Sequence, residues 1–201
     1  MTDRKIKLVI GSLLHDIGKV IYRQGGDRRN HSVSGYDYLR TEAGIDDSDI
    51  LDCVRFHHAA ALNAAAIEDD SLAYIVYLAD NIAAFADRRK KEDSEDTGFE
   101  LSTPLQSVFN ILNGNNEEMY YHPGDMSPDG EINYPSLEKK NFSEEFYTKI
   151  RQRLTDNLKA IDWNEEYLNS LLSVMEGNLS YIPSSTAKSE LTDISLFDHV
   201  K

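Results

Sequence analysis

An apolar helical pattern that ends on His15-Asp16 constrains the fold of this chain more than any other feature. From residue 4 to about residue 22, apolar side chains recur at helical spacing, and Gly18 predicts a break close to the histidine. An adjacent imidazole and carboxylate can reach one ion, and both groups are common ligands of divalent metals. The pattern therefore predicts a helix whose end carries metal chemistry.

Capping residues divide the next part of the chain into consecutive helices. A short helix is predicted from residue 31 to about residue 40. Asp46-Asp47-Ser48 is a strong N-cap signal. It begins a helix that is predicted to carry Ile50, Val54, His57 and His58 on one face. Ser71 caps the following helix, which covers residues 72–86.

Loops and two longer helices are predicted in the second half of the chain. Residues 88–100 are dense in charge, which indicates a mobile loop or a frayed helix end. Residues 119–122 and 132–134 are candidate strands of a small hairpin. Ser143 caps an amphipathic helix that extends to about Ile161, and a further helix covers residues 165–175 and stops at Gly177. After Pro183 the chain is polar and shows no cap or turn signal. The predicted fold class is mainly α.

Composition places the chain among globular proteins of one domain. The 201 residues are enough for one core, and the single cysteine, Cys53, excludes an internal disulfide and fits a reducing compartment. The apolar run at residues 8–14 is too short to span a membrane. We therefore expect a cytoplasmic protein with no membrane partner.

The net charge of −14 argues against a nucleic-acid binder that works alone, because an acidic surface repels phosphates. The charge is unevenly distributed. Residues 1–40 hold eight Lys/Arg and four Asp/Glu, a local net charge of 8 − 4 = +4, so the remainder carries −14 − 4 = −18. The positive region surrounds the His-Asp pair. An anionic substrate fits there, while grip on a long polymer is expected to come from partners.

A series of metal-ligand residues follows the His-Asp pair along the predicted helices. Four of the six histidines lie between positions 15 and 58, and a carboxylate follows them. The candidate metal ligands are His15, Asp16, His31, His57, His58 and Asp80. A set this rich in histidine favours Mn, Co or Ni over Mg, which prefers oxygen ligands. The series predicts a hydrolase site with one or two metal ions. His122 and His199 receive no role.

Each candidate also has a structural interpretation. Adjacent residues on a helix point about 100° apart, so His57 and His58 can serve two ions, or one ion and a substrate oxygen, or simply form a partly buried pair. Asp80 lies in a helix that is apolar all round, so it is expected to bind a cation or to pair with an arginine. Lys19 is a candidate catalytic residue that contacts a phosphate, or a solvated lysine. Tyr22 and Tyr36 are candidates for base stacking or for the core.

The order of these motifs resembles the HD phosphohydrolase superfamily. The extra histidines before the last aspartate are similar to its two-metal branch. The superfamily's usual first histidine precedes the His-Asp pair, and its absence here is characteristic of a rearranged version. The resemblance rests on Leu14-His15-Asp16-Ile17-Gly18-Lys19, Asn30-His31-Ser32, Phe56-His57-His58 and Leu78-Ala79-Asp80-Asn81-Ile82.

Three further segments resemble the large subunit of type III-A (Csm) CRISPR effector complexes. They are residues 83–89, Phe99 together with residues 103–109 (Thr103-Pro104-Leu105-Gln106-Ser107-Val108-Phe109), and residues 193–199, which are similar to that subunit's entry into its first palm domain. The resemblance implies a single-strand-specific deoxyribonuclease that acts with the other subunits, a guide RNA and a target RNA. The subunit's palm domains, which carry a Gly-Gly-Asp-Asp motif and make cyclic oligoadenylates from ATP, have no counterpart in these 201 residues.

The expected organisation follows from this resemblance. Residues 1–113 form the HD nuclease core of a helical bundle, residues 114–182 add a hairpin or loop segment and two helices, and residues 183–201 form a linker toward a truncated palm domain. Two other functions stay open at this point. One is a small-molecule nucleotide phosphohydrolase of the HD superfamily, and the other is a docking module without catalytic activity.

Overall fold

A computed structural model describes residues 3–25, 27, 29–91, 96–114, 116–126, 133–161 and 167–201. Within these ranges the protein is mainly α-helical, as predicted. A π-helical turn, Leu39–Ala43, follows the third helix, and a 3-10 helix covers Val108–Asn113. The α-helices are α1 (Arg4–Leu14), α2 (Gly18–Arg23), α3 (His31–Tyr38), α4 (Ser48–Arg55), α5 (Ala59–Ala64), α6 (Leu72–Asp87), α7 (Glu144–Ala160), α8 (Tyr167–Leu179) and α9 (Leu196–Val200).

One apolar core joins the first four helices to the last three. α1 packs on α4, α2 packs on α3 and α7, and α8 contacts α1, α7 and α9. Leu14, Ile17 and Val54 from the first part and Leu154 and Leu171 from the second are fully buried in this core. Because burial of apolar surface is the main driving force of folding, the two parts of the chain stabilise each other.

A close contact between two glycines sets the distance between α2 and α3. A Cβ atom on Gly18 would lie 1.8 Å from the carbonyl oxygen of His31 and 2.7 Å from the backbone nitrogen of Gly35. A Cβ on Gly35 would lie 3.0 Å from the backbone nitrogen of Gly18. Gly18 therefore does more than break a helix: it lets α3, which begins at His31, approach the turn that carries the His-Asp pair.

The predicted caps are confirmed, but the end of one helix lies elsewhere than predicted. The side chains of Asp47, Ser71 and Ser143 accept hydrogen bonds at the N-termini of α4, α6 and α7. α8 continues through Gly177 to Leu179, so the predicted stop at Gly177 is wrong. A single glycine lowers helix stability without ending a helix that is packed in the core. The predicted start at residue 165 lies outside the described residues.

The predicted hairpin consists only of isolated pairings in the described part of the chain. Tyr120 pairs with Gln106 on one side and with Ser136 on the other, and no extended strand forms there. Residue 132 of the second candidate strand lies outside the described residues. In the charged stretch after α6, Lys90 pairs with Glu190 and Phe99 with Ala187, while residues 92–95 lie outside the described ranges.

The last segment packs against the helical core. The buried guanidinium of Arg23 donates hydrogen bonds to the carbonyl oxygens of Pro183 and Ser184, at 2.6 and 3.1 Å. The side chain of Ser195 accepts from the backbone N–H of Asp198 and caps α9, so the expectation of an end without a cap is wrong. α9 contacts α1, α6 and α8. The interpretation of residues 183–201 as a linker to another domain stays a prediction.

α6 is less buried than its composition suggests. Leu72, Ala73 and Val76 are its buried residues, whereas Ile82 and Phe85 are 71% and 90% exposed. A helix that is apolar all round is therefore not buried all round here, because apolar composition does not show which faces are covered. Over the described residues, no helix combines the length and the hydrophobicity needed to cross a membrane.

Candidate metal centre

The His-Asp pair lies in the turn between α1 and α2. α1 ends at Leu14 and α2 begins at Gly18, and the side chains of His15 and Asp16 are almost fully buried. The Nδ1 atom of His15 donates to the carbonyl oxygen of Ser12 at 2.7 Å. Because a carbonyl can only accept, this bond requires a proton on Nδ1, so in the neutral ring the Nε2 lone pair is free for a cation.

Three other histidines meet at the start of α3. His31 is the first residue of α3, and Nε2 of His57 and Nε2 of His58 lie 3.3 and 2.8 Å from its Nε2. The side chain of His57 is inaccessible to solvent, and its Nδ1 donates to the carbonyl oxygen of Val54 at 2.7 Å. These three Nε2 atoms form one compact group of possible ligands.

His57 and His58 do not share the helical face that the sequence analysis predicted. α4 ends at Arg55, and the two histidines lie in the break before α5, where His58 is extended at φ −112° and ψ 140°. The break turns both rings toward His31, with the two ring centroids 4.0 Å apart. Of the alternatives left open for this pair, the geometry favours ligation of one ion by both histidines over ligation of two separate ions.

A second group contains His15, Asp16, Asp80 and His199. The Nε2 atom of His199 lies 3.2 Å from Oδ1 of Asp80 and 3.5 Å from Oδ2 of Asp16. The Nε2 atom of His15 lies 3.5 Å from the same Asp80 oxygen and 3.6 Å from Oδ2 of Asp16. Asp80 therefore faces histidines, and the arginine partner considered for it is not found among the described residues.

Asp16 joins the two groups, because its two carboxylate oxygens face in different directions. Oδ1 lies 3.2 Å from Nε2 of His31 and 3.7 Å from Nε2 of His57. Oδ2 faces His15 and His199 and also accepts from Nζ of Lys19 at 2.5 Å. One buried carboxylate thus contacts both sets of imidazoles.

His199 is the member of the cluster that the sequence analysis missed. It lies on α9, 119 residues after Asp80 in the chain. Its Nδ1 atom donates to Oδ2 of Asp87 at 2.8 Å. The signal that could have found it is Ser195 followed three residues later by Asp198, a pattern that indicates a helix start. His122, also given no role, contacts Ser136 and Glu138 instead.

The electrostatics of the cluster favour a bound cation. Burial raises the pKa of the Asp16 carboxyl, but the charges of Lys19 and His15 outweigh burial and hold that pKa well below its usual range. At Asp80, the neighbouring imidazoles of His15 and His199 likewise outweigh burial and lower the pKa. Two carboxylates are therefore ionised in this site, and the ionised carboxylate is the form that binds a metal ion.

The histidines differ in their protonation. Burial holds the pKa of His57 well below its usual value and lowers the pKa of His58, so both rings are neutral, as metal ligands must be. Burial also lowers the pKa of His199, but the hydrogen bond with Asp80 and the charge of Asp16 outweigh burial and raise it. Without a metal, His199 therefore holds a proton more readily than the other two.

The donor set fits a divalent metal ion. The Nε2 atom of His15 and the Oδ1 atom of Asp16 are buried and have no hydrogen-bond partner in the described residues. Buried polar atoms without partners are rare and call for a bound ion or water. In each of the two groups, the possible ligand atoms lie within 4.8 Å of one another. Imidazole and carboxylate together suit divalent transition metals.

A cavity of ≈ 470 Å³ opens onto the cluster. Asp16, Lys19, His31, His58, Asp80 and His199 form part of its wall, so the candidate ligands of both groups are reachable from solvent. Tyr22 lines this cavity, whereas Tyr36 is not part of its wall and packs under the guanidinium of Arg55, with the Cζ atom 4.7 Å from the ring centroid. Of the two tyrosines considered for base stacking, only Tyr22 is placed to contact a ligand.

Comparison with known proteins agrees with this architecture. A family model described as the HD domain matches residues 2–84. Over 208 residues the chain is 36% identical to the CRISPR system single-strand-specific deoxyribonuclease Cas10/Csm1 (subtype III-A) of Enterococcus italicus, covering 99% of this chain and 28% of the relative. The protein of the same description from Streptococcus thermophilus is 36% identical over 204 residues, with 99% of this chain and 26% of the relative covered.

A solved structure shows the same fold. The crystal structure of Csm1 in T. onnurineus matches 100% of this chain and 27% of that chain, with a TM-score of 0.71 and 25% sequence identity. The chain spans about a quarter of the length of the relatives it matches.

The helical fold, the buried His-Asp turn and the family match define an HD domain. The similarity continues over nearly the whole chain, far beyond residue 84, so the chain resembles about a quarter of these Cas10/Csm1 proteins (subtype III-A), a quarter that includes the HD domain. Asp87 and His199 lie outside the residues that the HD model matches.

Proposed function

We propose that this chain is a metal-dependent nuclease that hydrolyses phosphodiester bonds in single-stranded DNA. The observation that supports it most strongly is the position of Asp16, whose two oxygens face two separate groups of ligands. Asp16 would contribute to both of two ion sites. His31, His57 and His58 would hold one ion, and His15, Asp80 and His199 would hold the other.

The ligands favour Mn, Co or Ni over Mg, since imidazole nitrogens predominate in the set. Bound at these residues, divalent cations supply a water of lowered pKa and offset negative charge on the scissile phosphate and leaving oxygen. The chain's own residues hold this arrangement in place. The Nδ1 bonds of His15 and His57 to backbone carbonyls orient the rings, and Asp87 does the same for His199.

Lys19 is proposed to contact the substrate phosphate. Its ammonium group lies in the cavity wall, beside Asp16, and is one-fifth exposed. A lysine so placed can exchange its bond with Asp16 for one with an entering phosphate, because ammonium binds both anions as a point charge. The pairing with Asp16 alone supports a structural role as well, and the variants below separate the two.

Single-stranded DNA is the substrate that fits the recessed site. A phosphate in a flexible strand can enter a cavity that a duplex cannot, and the relatives are described as single-strand-specific deoxyribonucleases. The acidic remainder of the chain is a poor binder of long polymers. We therefore propose that the other subunits of a type III-A effector complex, with guide RNA and target RNA, bind the DNA strand and activate the nuclease.

The decisive experiment measures metal content and cleavage on the same preparation. The purified chain, stripped with chelator and reloaded with Mn, Co, Ni or Mg, is incubated with a labelled single strand, the matching duplex and mononucleotides. We expect cleavage of the single strand with Mn, Co or Ni and little with Mg. Fastest cleavage with Mg, or equal cutting of duplex, contradicts the proposal. Turnover of mononucleotides alone supports a small-molecule hydrolase, and absence of bound metal supports a docking module.

Lys19→Gln and Lys19→Arg test the lysine. If Lys19 contacts the phosphate, Lys19→Gln raises KM for the single strand and Lys19→Arg restores most of the loss, since both cations bind phosphate. If Lys19 only balances Asp16, Lys19→Gln changes metal affinity and leaves KM at saturating metal unchanged.

A further inference from the structure

An exposed phenylalanine lines the same cavity as the metal cluster. Phe99 is 71% exposed, yet it forms part of the wall that also contains Asp16, Asp80 and His199. It belongs to neither of the two apolar clusters of the protein. Scattered exposed apolar residues are ordinary, but one that faces the entrance of a polar site has a surface that a ligand can cover.

The backbone around Phe99 is held on both sides. Phe99 pairs with Ala187, the backbone N–H of Lys188 donates to Gly98 O at 3.0 Å, and the N–H of Glu100 donates to Thr186 O at 2.9 Å. Gly98 adopts φ +92°, a conformation that other residues rarely take, so the turn into Phe99 depends on glycine. The ring is therefore exposed on a fixed support, as a preorganised binding surface requires.

An arginine without a carboxylate partner lies in the same wall. Lys19 is paired with Asp16, Arg29 with Asp27 and Asp37, and Arg23 with backbone carbonyls. Arg88 is exposed, lines the cavity, and forms no ion pair with any residue that the structure describes. Its neighbour Arg89, by contrast, is paired with Asp193 at 2.9 Å. Among the described residues, Arg88 is thus the arginine of this wall that can bind an external anion without giving up a partner inside the protein.

Arg88 is also close to the cluster in the chain. It directly follows Asp87, whose carboxylate binds His199, and it caps the C-terminus of α6, the helix that carries Asp80. A phosphate next to the one that is cleaved would therefore find a guanidinium at the edge of the site and an aromatic ring in the same wall. Base stacking on an aromatic side chain and Arg–phosphate contacts are the usual elements of single-strand recognition.

We propose that Phe99 and Arg88 form a nucleotide subsite beside the metal cluster, in which the ring of Phe99 stacks on a base and the guanidinium of Arg88 binds the adjoining phosphate. This inference rests on the proposed function and adds the source of its strand preference. In a duplex both faces of each base are already stacked, so Phe99 can be used only by an unpaired nucleotide. Because every base has a π-face, the subsite accepts any sequence.

The test combines a variant with a matched change in the substrate. Phe99→Ala is assayed against a set of labelled single strands, each with one abasic position near the cleavage point. We expect Phe99→Ala to lower kcat/KM on the intact strand by about tenfold, equivalent to about 1.4 kcal/mol, through KM. At one abasic position, kcat/KM of wild type should fall by the same factor. On that same strand Phe99→Ala should show no further fall in kcat/KM, because the missing base and the missing ring belong to one contact. Phe99→Trp should retain full activity.

Phe109→Ala is the matched control, since Phe109 is 56% exposed and is not in the cavity wall. It should behave as wild type. The stacking role is refuted if Phe99→Ala cleaves the intact strand as fast as wild type does. It is also refuted if the loss of kcat/KM relative to wild type is the same on every abasic strand. A loss of thermal stability in Phe99→Ala but not in Phe109→Ala would refute it as well, because Phe99 would then be a structural residue.

Arg88 is tested by the salt dependence of binding. In chelator, the affinity of the chain for a fluorescent single strand is measured over a range of salt concentrations. Arg88→Gln should reduce the slope of log K against log [salt] by about 0.7, the value for one phosphate contact on a single strand. An unchanged slope would refute the phosphate contact. This binding assay needs no cleavage, whereas the nuclease proposal is tested by cleavage with the metal-loaded wild-type chain. The two proposals can therefore fail independently.

Discussion

Replacing Gly18 by alanine should damage both the fold and the metal cluster. The added Cβ would lie 1.8 Å from the carbonyl oxygen of His31 and 2.7 Å from the backbone of Gly35. These are backbone atoms, so no side chain can rotate away to make room. α2 and α3 must separate by more than an ångström, and His31, at the start of α3, moves away from Asp16.

The size of the effect follows from the geometry. Overpacking by a methyl group costs about 1–3 kcal/mol, and a clash with backbone on two sides belongs at the upper end of that range. For a chain of this length, a loss of about 3 kcal/mol lowers the melting temperature by roughly 6–12 °C. Urea unfolding in chelator measures the stability loss, and a Mn titration measures the weaker metal binding expected from the displaced histidine.

Gly177→Ala is the control for this substitution. Gly177 lies inside α8, and the nearest atom to its added Cβ is a backbone oxygen at 4.0 Å. Alanine should therefore stabilise the helix by about 0.5–1 kcal/mol. If Gly18→Ala unfolds at the same urea concentration as wild type, the close contact between α2 and α3 is not a feature of the protein. If it is destabilised but binds Mn unchanged, the contact does not position His31.

Four further predictions concern the cluster. His15→Ala and Asp16→Ala should abolish DNA cleavage but leave assembly and guided RNA cutting by the complete effector complex intact; loss of RNA cutting in an assembled mutant complex would contradict this. Mn at a hundredfold excess over its dissociation constant should stabilise wild type by about 2.7 kcal/mol, and Asp80→Asn should gain far less in the same melting experiment; an equal gain would remove Asp80 from the ligands. Asp87→Asn should weaken metal binding by roughly 10–100-fold, as loss of a carboxylate behind a histidine ligand does, and unchanged affinity in a calorimetric titration would refute its orienting role. In chelator, urea unfolding should show stability falling as the pH drops from about 8 to about 5, because His57 and His58 resist protonation in the folded state while the unfolded chain takes up protons. The raised pKa of His199 acts in the opposite direction, so His199→Gln should make stability fall more steeply as the pH drops. A shallower fall of stability in this variant would contradict the raised pKa of His199.

Much of the cluster could be predicted because its residues are conspicuous in sequence. The six candidate ligands all lie in the two groups that the structure forms, and the caps at Asp47, Ser71 and Ser143 are where the capping chemistry predicts them. Capping depends on contacts within one turn of chain, so it is visible locally. A carboxylate in an apolar stretch is conspicuous for a similar reason, since burying it requires a partner.

The features that were mispredicted depend on contacts between distant parts of the chain. Helical spacing extended α4 to His58, but the contact of both histidines with His31 is made in a break that periodicity cannot show. The sequence of α6 is apolar all round, yet Ile82 and Phe85 are exposed, because only tertiary packing decides which faces are covered. Ser195 and Asp198 mark the start of α9, but they do not show the role of His199, because that role depends on α9 packing beside α6.

The spacing of the two carboxylates on α6 explains how so distant a histidine joins the cluster. Asp80 and Asp87 are seven residues apart, or about two helical turns, so they lie on the same face of α6. Asp80 contacts Nε2 of His199 and Asp87 contacts Nδ1, so one helix holds the imidazole from both sides. The orientation of His199 is thus determined by α6 and not by its place in the chain. His199 follows His15 by 184 positions and still contacts the site of the His-Asp pair, because α9 packs against both α1 and α6.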